Sequence, residues 1–486
     1  MRRTANEVRV DQQQPGATAG PGVEPGVARR RLYISVTVKF LVAQVVALGW
    51  LGVSVLLSLP WVRELAAAIS TVPAVVVVCL VAYLPGWLVA FLAVSLLLDR
   101  QPPLRRSHPT APVTVLIAAR NEADRIQETL SYIARQDYSG PVEVLVADNG
   151  STDGTRTVAE AYGAATGQRV RCIDEPRPGK SHALNSGLAA VGTELVITLD
   201  ADTLPHPQAI RQLVARLLSA PSDVQAVAGS VLVRNSRDSL WTRMQEWDYF
   251  LGIASVKRMQ GLYQGTLVAQ GAFSLYRTQA LLQAGGWPDA IGEDIVLTWQ
   301  LMRQGARVYY EPSAVAFTAA PARLLHLARQ RARWARGMIE GIRTVTPWSQ
   351  PRWLLRFLTA IDLLIPALDV AYALVWLPGL VLAATGRYWI VGPYTLAVLP
   401  LTLVVNAILY RFQRRRSSTS SGSGSGATPS ASSGSCWPTR CSCPRSPWWA
   451  TPRSSWASAA AGNSPQERLA WRVGAGLALV PIQVGS

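Results

Sequence analysis

Two aspartates in the polar middle of the chain have the spacing expected of a site for a metal and a diphosphate. Asp200 and Asp202 are separated by one residue and directly follow the apolar run Leu195–Leu199. A hard divalent cation such as Mg²⁺ or Mn²⁺ prefers oxygen ligands and neutralises the charge of a diphosphate leaving group. At a strand end, one carboxylate could bind the metal and the other the ribose or a metal-bound water. A solvated turn after a strand is the alternative, because such triplets also occur by chance.

A second acidic pair, Glu293-Asp294, stands where a helix is predicted to begin. The pair follows the turn Gly285–Pro288 and opens the helical stretch Ile295–Arg303. The positive end of the helix dipole stabilises an ionised carboxylate there. Such a carboxylate could accept a proton from a hydroxyl group as a general base, so Asp294 and Glu293 are the candidate catalytic residues. Acids are also common at helix N-termini for structural reasons, so a helix cap is the alternative.

Two further residues could contact an anionic nucleotide. Asp148 directly follows the apolar run Val142–Ala147, and ligands of open α/β sheets bind outside the carboxyl ends of the strands. Lys180 precedes a predicted helix, where free backbone N–H groups and a cation form an anion site. The alternative for Asp148 and for the nearby Asp153 is a turn with Asx-type capping. The alternative for Lys180 is an ordinary helix start with a surface lysine.

Gln330, Arg333 and Trp334 form a third group, on a predicted helix before the third apolar run. Their spacing of three and four residues places them on one helix face. Arginine can bind phosphate with two hydrogen bonds, and tryptophan offers a flat apolar surface to a sugar ring. We therefore predict that Gln330 and Arg333 bind diphosphate and that Trp334 binds the acceptor. A membrane-proximal belt of Arg and Trp is the alternative.

The elements that would position these residues alternate between strands and helices. Short apolar runs rich in β-branched residues predict strands, and apolar residues three and four apart predict helices. This alternation is typical of an α/β domain with a mainly parallel sheet. The predicted strands are Val113–Ala118, Val142–Ala147 and Leu195–Leu199, and the predicted helices are Asn121–Gln136, Thr155–Ala165 and Ser181–Val191.

Apolar runs of membrane length flank this polar block. The chain has 486 residues, is 49% hydrophobic and has a mean hydropathy of +0.17, which is high for a soluble protein. A cleaved signal peptide is the alternative for the first run, but its apolar core is too long and a second run follows directly. Asp362 and Asp369 lie in the third run, so part of it is expected at the interface or against a protein interior. The runs are Phe40–Leu59, Pro73–Leu98, Phe357–Thr385 and Tyr388–Tyr410.

Arginines at the ends of these runs predict the orientation in the lipid bilayer. Cytoplasmic loops carry an excess of Lys and Arg, and the loop Pro60–Val72 has only Arg63, offset by Glu64. We therefore predict a multi-pass protein of the plasma (inner) membrane, with its N-terminus and polar block in the cytoplasm. The arginines outside this loop that flank the runs are Arg29, Arg30, Arg31, Arg100, Arg105, Arg106, Arg411, Arg414, Arg415 and Arg416.

The net charge of +17 does not indicate nucleic-acid binding. Much of it lies at membrane flanks, where anionic lipid attracts it, and no nucleic-acid-binding motif accompanies it. A zinc site is not predicted either, because the cysteines and the histidines lack the spacing of zinc ligands. The histidines are His108, His182, His206 and His326.

Together these motifs resemble the processive inverting glycosyltransferases of family 2, the group of cellulose, chitin, hyaluronan and poly-N-acetylglucosamine synthases. The resemblance covers about Pro112–Gly341 and the flanking spans. It implies a cytoplasmic GT-A domain, a UDP-sugar donor, Mg²⁺ or Mn²⁺, and a growing polysaccharide as acceptor, with accessory membrane or export subunits as further partners. A non-processive transferase that adds one sugar to a lipid is the alternative, as is a membrane protein with an inactive domain.

Within that group the chain is most similar to bacterial poly-β-1,6-N-acetylglucosamine synthases, which implies N-acetylglucosamine as the sugar. The resemblance implies that Asp148 contacts uridine, Asp202 binds the metal and Asp294 is the general base. It also implies roles for Arg333 and Trp334 in holding diphosphate and acceptor. The chain departs from the group at Gly292, where Thr is usual, and at Asn149, where a second Asp is common. The segments that carry the similarity are Gly271–Tyr276, Gly286-Trp287, Tyr310–Pro312 and Gln330–Gly337.

After Arg416 the composition changes to Ser, Gly, Pro, Trp and Cys. A low-complexity linker is one interpretation. The other is a shifted reading frame, because GC-rich codons for this tail, read two bases later, can encode an apolar segment closed by arginines. The predicted division of the chain is a disordered N-terminus (1–32), two transmembrane helices (33–99), a GT-A domain (110–345), interface and transmembrane helices (352–411) and the tail (417–486).

Overall fold

The computed structural model describes residues 34–392 together with Leu403, Asn406, Ala407 and Tyr410. The predicted disordered N-terminus, most of the fourth apolar run and the tail with its two interpretations lie outside the described residues. The described residues include the whole of the predicted catalytic domain.

An eight-stranded mixed sheet forms the centre of the domain. Its strands are β1 (Val113–Ala119), β2 (Val142–Asp148), β3 (Val170–Asp174), β4 (Leu195–Asp200), β5 (Leu204–Pro205), β6 (Val224–Val233), β7 (Phe273–Arg277) and β8 (Arg307–Thr318). They lie in the order β3-β2-β1-β4-β7-β6-β8-β5. Strands β1 to β4 are mutually parallel, β7 is antiparallel to both its neighbours, and β6 is parallel to β8. The prediction of an α/β domain is confirmed, and the predicted strands agree with β1, β2 and β4.

Helices cover the sheet and extend from both ends of the domain. They are α1 (Val36–Ile69), α2 (Thr71–Val78), α3 (Leu84–Leu97), α4 (Ala123–Ala134), α5 (Thr155–Thr166), α6 (Lys180–Ala190), α7 (Ala209–Ser219), α8 (Leu240–Trp247), α9 (Ala254–Leu262), α10 (Thr278–Ala284), α11 (Glu293–Arg303), α12 (Leu324–Thr344), α13 (Trp353–Asp362), α14 (Leu364–Ala371) and α15 (Leu377–Ala384). Segments of π-helix at Cys79–Tyr83, Asp248–Ile253 and Tyr372–Trp376 join α2 to α3, α8 to α9 and α14 to α15, and Pro347–Ser349 is a 3-10 turn.

Strand β1 contributes to two apolar cores, one on each face of the sheet. Val115 and Ile117 lie in the core that includes residues of α4 and α7, whereas Leu116 lies in the core that includes Leu184 of α6. Successive side chains of a strand point to opposite faces, which is why one strand can serve both cores. Burial of each such side chain contributes about 1.5–3 kcal/mol. The carboxyl ends of the central strands are therefore held from both sides.

Three helical stretches are long and apolar enough to cross a membrane: Val36–Ile69, Thr71–Leu97 and Trp353–Ala384. They correspond to the first three predicted apolar runs. Asp362, in the third stretch, is only 1% exposed, so this carboxyl group faces protein.

Aromatic side chains join these stretches to the domain. The ring of Phe40 on α1 makes edge contacts with Tyr263 and Trp353, at centroid distances of 5.5 and 5.0 Å. Phe91 on α3 stacks on Tyr263 at 5.7 Å. The hydroxyl groups of Ser95 and Tyr263 are 2.8 Å apart. The three apolar stretches therefore meet around Tyr263, which directly follows α9.

Candidate active site

The predicted site lies at the carboxyl edge of the parallel strands. Asp148 and Asp200 end β2 and β4, and in the sheet register they stand opposite Ala119 and Ala118 of the intervening strand β1. Because neighbouring strands are about 4.8 Å apart, the two aspartates are about 10 Å apart. The space between and above these strand ends is where an open α/β sheet binds its ligand.

Asp148 also closes its own turn. Its carboxylate is buried and accepts hydrogen bonds from the backbone N–H of Ser151, at 3.2 Å, and from the Ser151 hydroxyl. The exposed Asp153 accepts from the backbone N–H of Ala123 at 3.0 Å and from Thr155. The contacts of Asp153 are those of a loop cap, which favours the structural alternative for that residue.

Asn149 fixes the loop that leads to Lys180. Its side-chain N–H group donates to the carbonyls of Glu175, at 3.1 Å, and Arg177, at 2.6 Å, and its oxygen accepts from the N–H of Gly179 at 2.8 Å. An aspartate cannot donate hydrogen bonds in this way. The departure from the family pattern at this position therefore has a structural role, which sequence reasoning missed.

Lys180 joins the two acidic pairs. Its Nζ lies 2.6 Å from Asp200 Oδ1 and 3.7 Å from Glu293 Oε1. Burial acts to lower the pKa of Lys180, but the two carboxylates outweigh it and raise the pKa above its usual value. The lysine is therefore a permanent cation at the centre of the site. It brings together Asp200 and Glu293, which the sequence places far apart.

Asp202 belongs to a second charged group, which includes Arg125 and Glu122. Its carboxylate lies 3.8 Å from Arg125 Nη1, and Arg125 also pairs with Glu122 at 3.5 Å. Burial and the charge of Asp200 raise the pKa of Asp202, and burial together with Asp202 and Asp200 raises the pKa of Glu122. Sequence reasoning did not single out Glu122 and Arg125. The signal available was their position just after β1, at the same sheet edge.

The carboxylates at this edge fit a hard divalent cation that also binds the substrate. Among the described residues, no group of three or more His, Cys, Asp and Glu side chains is arranged to hold a metal alone. Asp200 and Asp202 supply oxygen ligands, whereas Mg²⁺ takes about six. Diphosphate oxygens and water would supply the others. Burial and then the charge of Asp200 raise the pKa of Asp202, and a bound cation would favour its ionised form.

The Glu293-Asp294 pair forms the first turn of α11. Asp294 accepts from the backbone N–H of Gly271 at 3.1 Å with one oxygen and from the N–H of Ile295 at 2.9 Å with the other. Burial raises the pKa of Glu293 to about 7, and the charge of Asp294 adds to this effect while Lys180 opposes it. In this pair, Asp294 is held by backbone N–H groups, whereas Glu293 can bind and release a proton near neutral pH.

Helix α12 crosses the start of α11 at two glycines. A Cβ atom on Gly292 would lie 2.8 Å from the Cα of Gly337, closer than real Cβ contacts. The Ile291 N–H donates to Glu340 of α12 at 2.8 Å in the same crossing. A threonine at position 292 would force the helices apart, so this departure from the family pattern has a physical reason. The crossing places Gly337, three residues after Trp334, against Gly292, the residue that precedes the acidic pair.

The three predicted residues of α12 do not share one environment. Trp334 is half-buried against Tyr249, with ring centroids 6.2 Å apart, and the guanidinium of Arg331 lies 4.5 Å from its ring centroid. Arg331 also pairs with Asp248. Arg333 is exposed instead. Gln330 is half-buried, and its Oε1 atom is buried without a hydrogen-bond partner among the described residues.

Comparison with known families decides the class of this domain. Residues 109–337 match the family described as "Glycosyltransferase like family 2". The chain contains a glycosyltransferase family 2 domain. The predictions of this family and of a glycosyltransferase enzyme are confirmed.

Curated relatives of the glycosyltransferase domain are poly-β-1,6-N-acetyl-D-glucosamine synthases. That of Staphylococcus aureus (strain MSSA476) is 32% identical over 227 residues, which is 46% of this chain and 54% of the relative. That of Staphylococcus epidermidis (strain ATCC 35984) is 31% identical over the same length and the same shares. The chain thus spans about half the length of the curated relatives it matches.

A solved structure shares the fold of the glycosyltransferase domain. The mannosyltransferase PcManGT from Pyrobaculum calidifontis, solved in complex with GDP-Man and Mn²⁺, superposes with a TM-score of 0.51 at 24% identity. The match covers 71% of this chain and 97% of that chain. The GT-A fold predicted from the sequence is confirmed.

Proposed function

We propose that this protein is a membrane-embedded inverting glycosyltransferase that transfers N-acetylglucosamine from a UDP-sugar to a growing polysaccharide. The observation that carries the proposal is the contact of Lys180 with both Asp200 and Glu293. It unites a diphosphate-binding cation, a metal-binding carboxylate and an acidic pair at the edge where such sheets bind nucleotides. The similarity to poly-β-1,6-N-acetyl-D-glucosamine synthases supports the choice of sugar and product.

The donor would lie along the carboxyl edge of the sheet. Asp148 contacts the uridine, and Asp200 and Asp202 hold Mg²⁺ or Mn²⁺, which supplies neutralisation of the diphosphate charge. The PcManGT structure, solved with Mn²⁺, supports a divalent metal. Lys180 binds the same diphosphate. Its ammonium group lies between two carboxylates and can exchange its contact with one of them for a contact with a phosphate oxygen.

Asp294 acts on the acceptor. Its carboxylate, fixed by the Gly271 N–H, removes the proton from the acceptor hydroxyl while that oxygen bonds to the anomeric carbon. The bond from the anomeric carbon to the diphosphate breaks at the same time, and UDP leaves from the opposite face with inversion. Only the N–H2 end of the Gln330 amide and the guanidinium of the exposed Arg333 can donate hydrogen bonds to the diphosphate, and the half-buried Trp334 offers its exposed part to the acceptor sugar.

The apolar helices support a location in the membrane. Three helical stretches have the necessary length and composition, and the arginines at their ends favour a cytoplasmic catalytic domain. A polymer made at this site would then have its exit route beside it, through the same helices. Accessory membrane or export subunits are further partners under this proposal.

Incubation of the purified full-length protein with a panel of UDP-sugars and Mg²⁺ or Mn²⁺ tests the proposal. We expect UDP release with UDP-N-acetylglucosamine and an acceptor-linked product whose length is then measured. Addition of a single sugar would favour the non-processive alternative. Absence of turnover with every UDP-sugar tested would contradict a UDP-dependent transferase.

Trp334→Phe is expected to lower polymer synthesis on the order of 10²-fold, because a shift of about 1 Å in the stacked acceptor has that effect on rate. UDP binding and membrane insertion should persist, and hydrolysis of the UDP-sugar by water should fall less, since water needs no platform. The measurements are polymer yield and UDP release on the same sample.

Trp348→Phe is the matched control, because Trp348 is 69% exposed just before the third apolar stretch and fits the membrane-belt alternative. We expect it to retain polymer synthesis. Normal polymer yield from Trp334→Phe would show that Trp334 belongs to the belt as well.

A further inference from the structure

A buried segment without regular structure holds the N–H group that binds Asp294. Residues 267–271, here called the strap, lie between α9 and β7, and Leu267, Val268 and Ala269 are at most 2% exposed. Side chains replace the missing backbone ladder. The strap N–H groups of Leu267, Ala269 and Gly271 donate to the side chains of Gln260 (3.2 Å), Thr298 (3.0 Å) and Asp294 (3.1 Å), respectively. The strap carbonyls of Leu267, Val268 and Ala269 accept from the side chains of Trp299 (3.1 Å), Lys257 (3.3 Å) and Tyr276 (2.6 Å), respectively.

Among these side chains Lys257 alone is a cation. It is 3% exposed, and the charge that acts on it is the carboxylate of Asp294. Burial lowers the pKa of Lys257 to about 7, and Asp294 opposes this effect. An apolar side chain of the same length would avoid the desolvation of an ammonium group. The hydrogen bond to the Val268 carbonyl requires only a donor, so it does not by itself account for a chargeable side chain at this position.

The next residue of α9 connects the same helix to the membrane stretch. Arg258 is fully buried, and its Nε lies 2.5 Å from the carboxylate of Asp99, just after the end of α3. The hydroxyl groups of Ser95 and Tyr263 add a hydrogen bond of 2.8 Å between the same two elements. Adjacent residues of one helix thus contact the strap on one side and the end of the second apolar stretch on the other.

We propose that Lys257 is a positioning residue for the transfer reaction, with its side chain fixing the strap and, through the Gly271 N–H of the strap, the Asp294 carboxylate. The Arg258–Asp99 pair sets the place of Lys257 relative to the membrane helices. This inference rests on the proposed function, because Asp294 matters here as the general base. It implies that the base is aligned only while α9 is docked on α3.

The test is Lys257→Met in the full-length protein, assayed for UDP-sugar turnover across pH beside the wild type. Methionine keeps the length of the side chain and removes its charge and its hydrogen bond. We expect kcat to fall about 10- to 100-fold with UDP affinity within about twofold of wild type. The acid limb of the kcat profile should move to higher pH, because loss of a buried cation disfavours the ionised form of carboxyl groups near it. The other groups that face the Glu293-Asp294 pair, Lys180, Asp200 and Tyr276, stay in place.

Two further variants separate positioning from stability. Arg216→Gln breaks the buried Arg216–Glu311 pair, 2.5 Å long, elsewhere in the domain, and should lower Tm without moving the acid limb. Asp99→Asn weakens the dock on α3 but keeps the charge of Lys257, so it should lower kcat with the acid limb in place. If Lys257→Met no longer binds UDP, Lys257→Gln replaces it in the test, since glutamine retains a donor for the Val268 carbonyl.

The outcomes are distinct. A reduced kcat with a shifted acid limb supports the positioning role. A kcat and acid limb like those of wild type, or a lower Tm alone, overturns it and leaves the proposed function intact. Absence of transfer by the wild type in the same assay overturns the proposed function and this inference together.

Discussion

Asp294→Asn is expected to lower the rate of sugar transfer by about 10²–10⁴-fold, the usual loss when a general base is removed. Asparagine has nearly the same shape, and its carbonyl oxygen can still accept the Gly271 N–H that lies 3.1 Å from Asp294. It cannot take a proton from the acceptor. The loss should therefore fall on kcat, whereas UDP affinity, measured by calorimetry in Mn²⁺, should persist.

Asp153→Asn is the control for this experiment. Asp153 is an exposed aspartate whose two oxygens accept from Ala123 and Thr155 as a loop cap, and the single oxygen of asparagine keeps one of these contacts. Its rate should stay close to that of wild type. If Asp294→Asn also kept that rate, Asp294 would be a helix cap, and Glu293, with a pKa raised to about 7, would become the candidate base.

The central sheet could be predicted from the sequence because its strands carry local signals. Strands β1, β2 and β4 are continuous apolar runs rich in β-branched residues, and buried parallel strands require that composition. Strand β7 was not predicted from the sequence. Its antiparallel pairing with β4, Leu199 opposite Phe273, is a contact between distant parts of the chain that no local pattern encodes.

The sequence predicted which residues belong to the candidate site but not the contacts between them. Strand ends and a helix start indicated Asp148, Asp200 and Glu293-Asp294, because backbone geometry alone gives those positions their chemistry. The contacts of Lys180 with two separate carboxylates depend on how α6 and α11 pack. The same holds for Lys257, which has no motif in the sequence and acquires its environment only when the strap folds against α9.

Asp202→Asn is expected to abolish turnover and to weaken UDP binding in Mn²⁺ while changing UDP binding little in EDTA. The reason is that Asp202 and Asp200 are the carboxylates that would hold the cation, and the cation in turn holds the diphosphate. The measurement is the UDP affinity of the wild type and of the variant, each in Mn²⁺ and in EDTA. The effect of the substitution in Mn²⁺ is then compared with its effect in EDTA. Equal weakening in both conditions would contradict a metal role for Asp202.

Asp148→Asn is the matched comparison, because it makes the same substitution at the same edge of the sheet, about 10 Å from Asp200. If Asp148 contacts uridine, its substitution should weaken UDP binding by a similar factor with and without metal. The loss of turnover in Asp202→Asn should not come from unfolding. Burial and Asp200 raise the pKa of Asp202 in the metal-free protein, so the ionised carboxylate is disfavoured in the folded state. Removing that charge relieves repulsion, so the Tm of Asp202→Asn in EDTA should equal or exceed that of wild type. An inactive variant with an undiminished Tm, and with UDP binding insensitive to Mn²⁺, would identify Asp202 as a ligand of the metal.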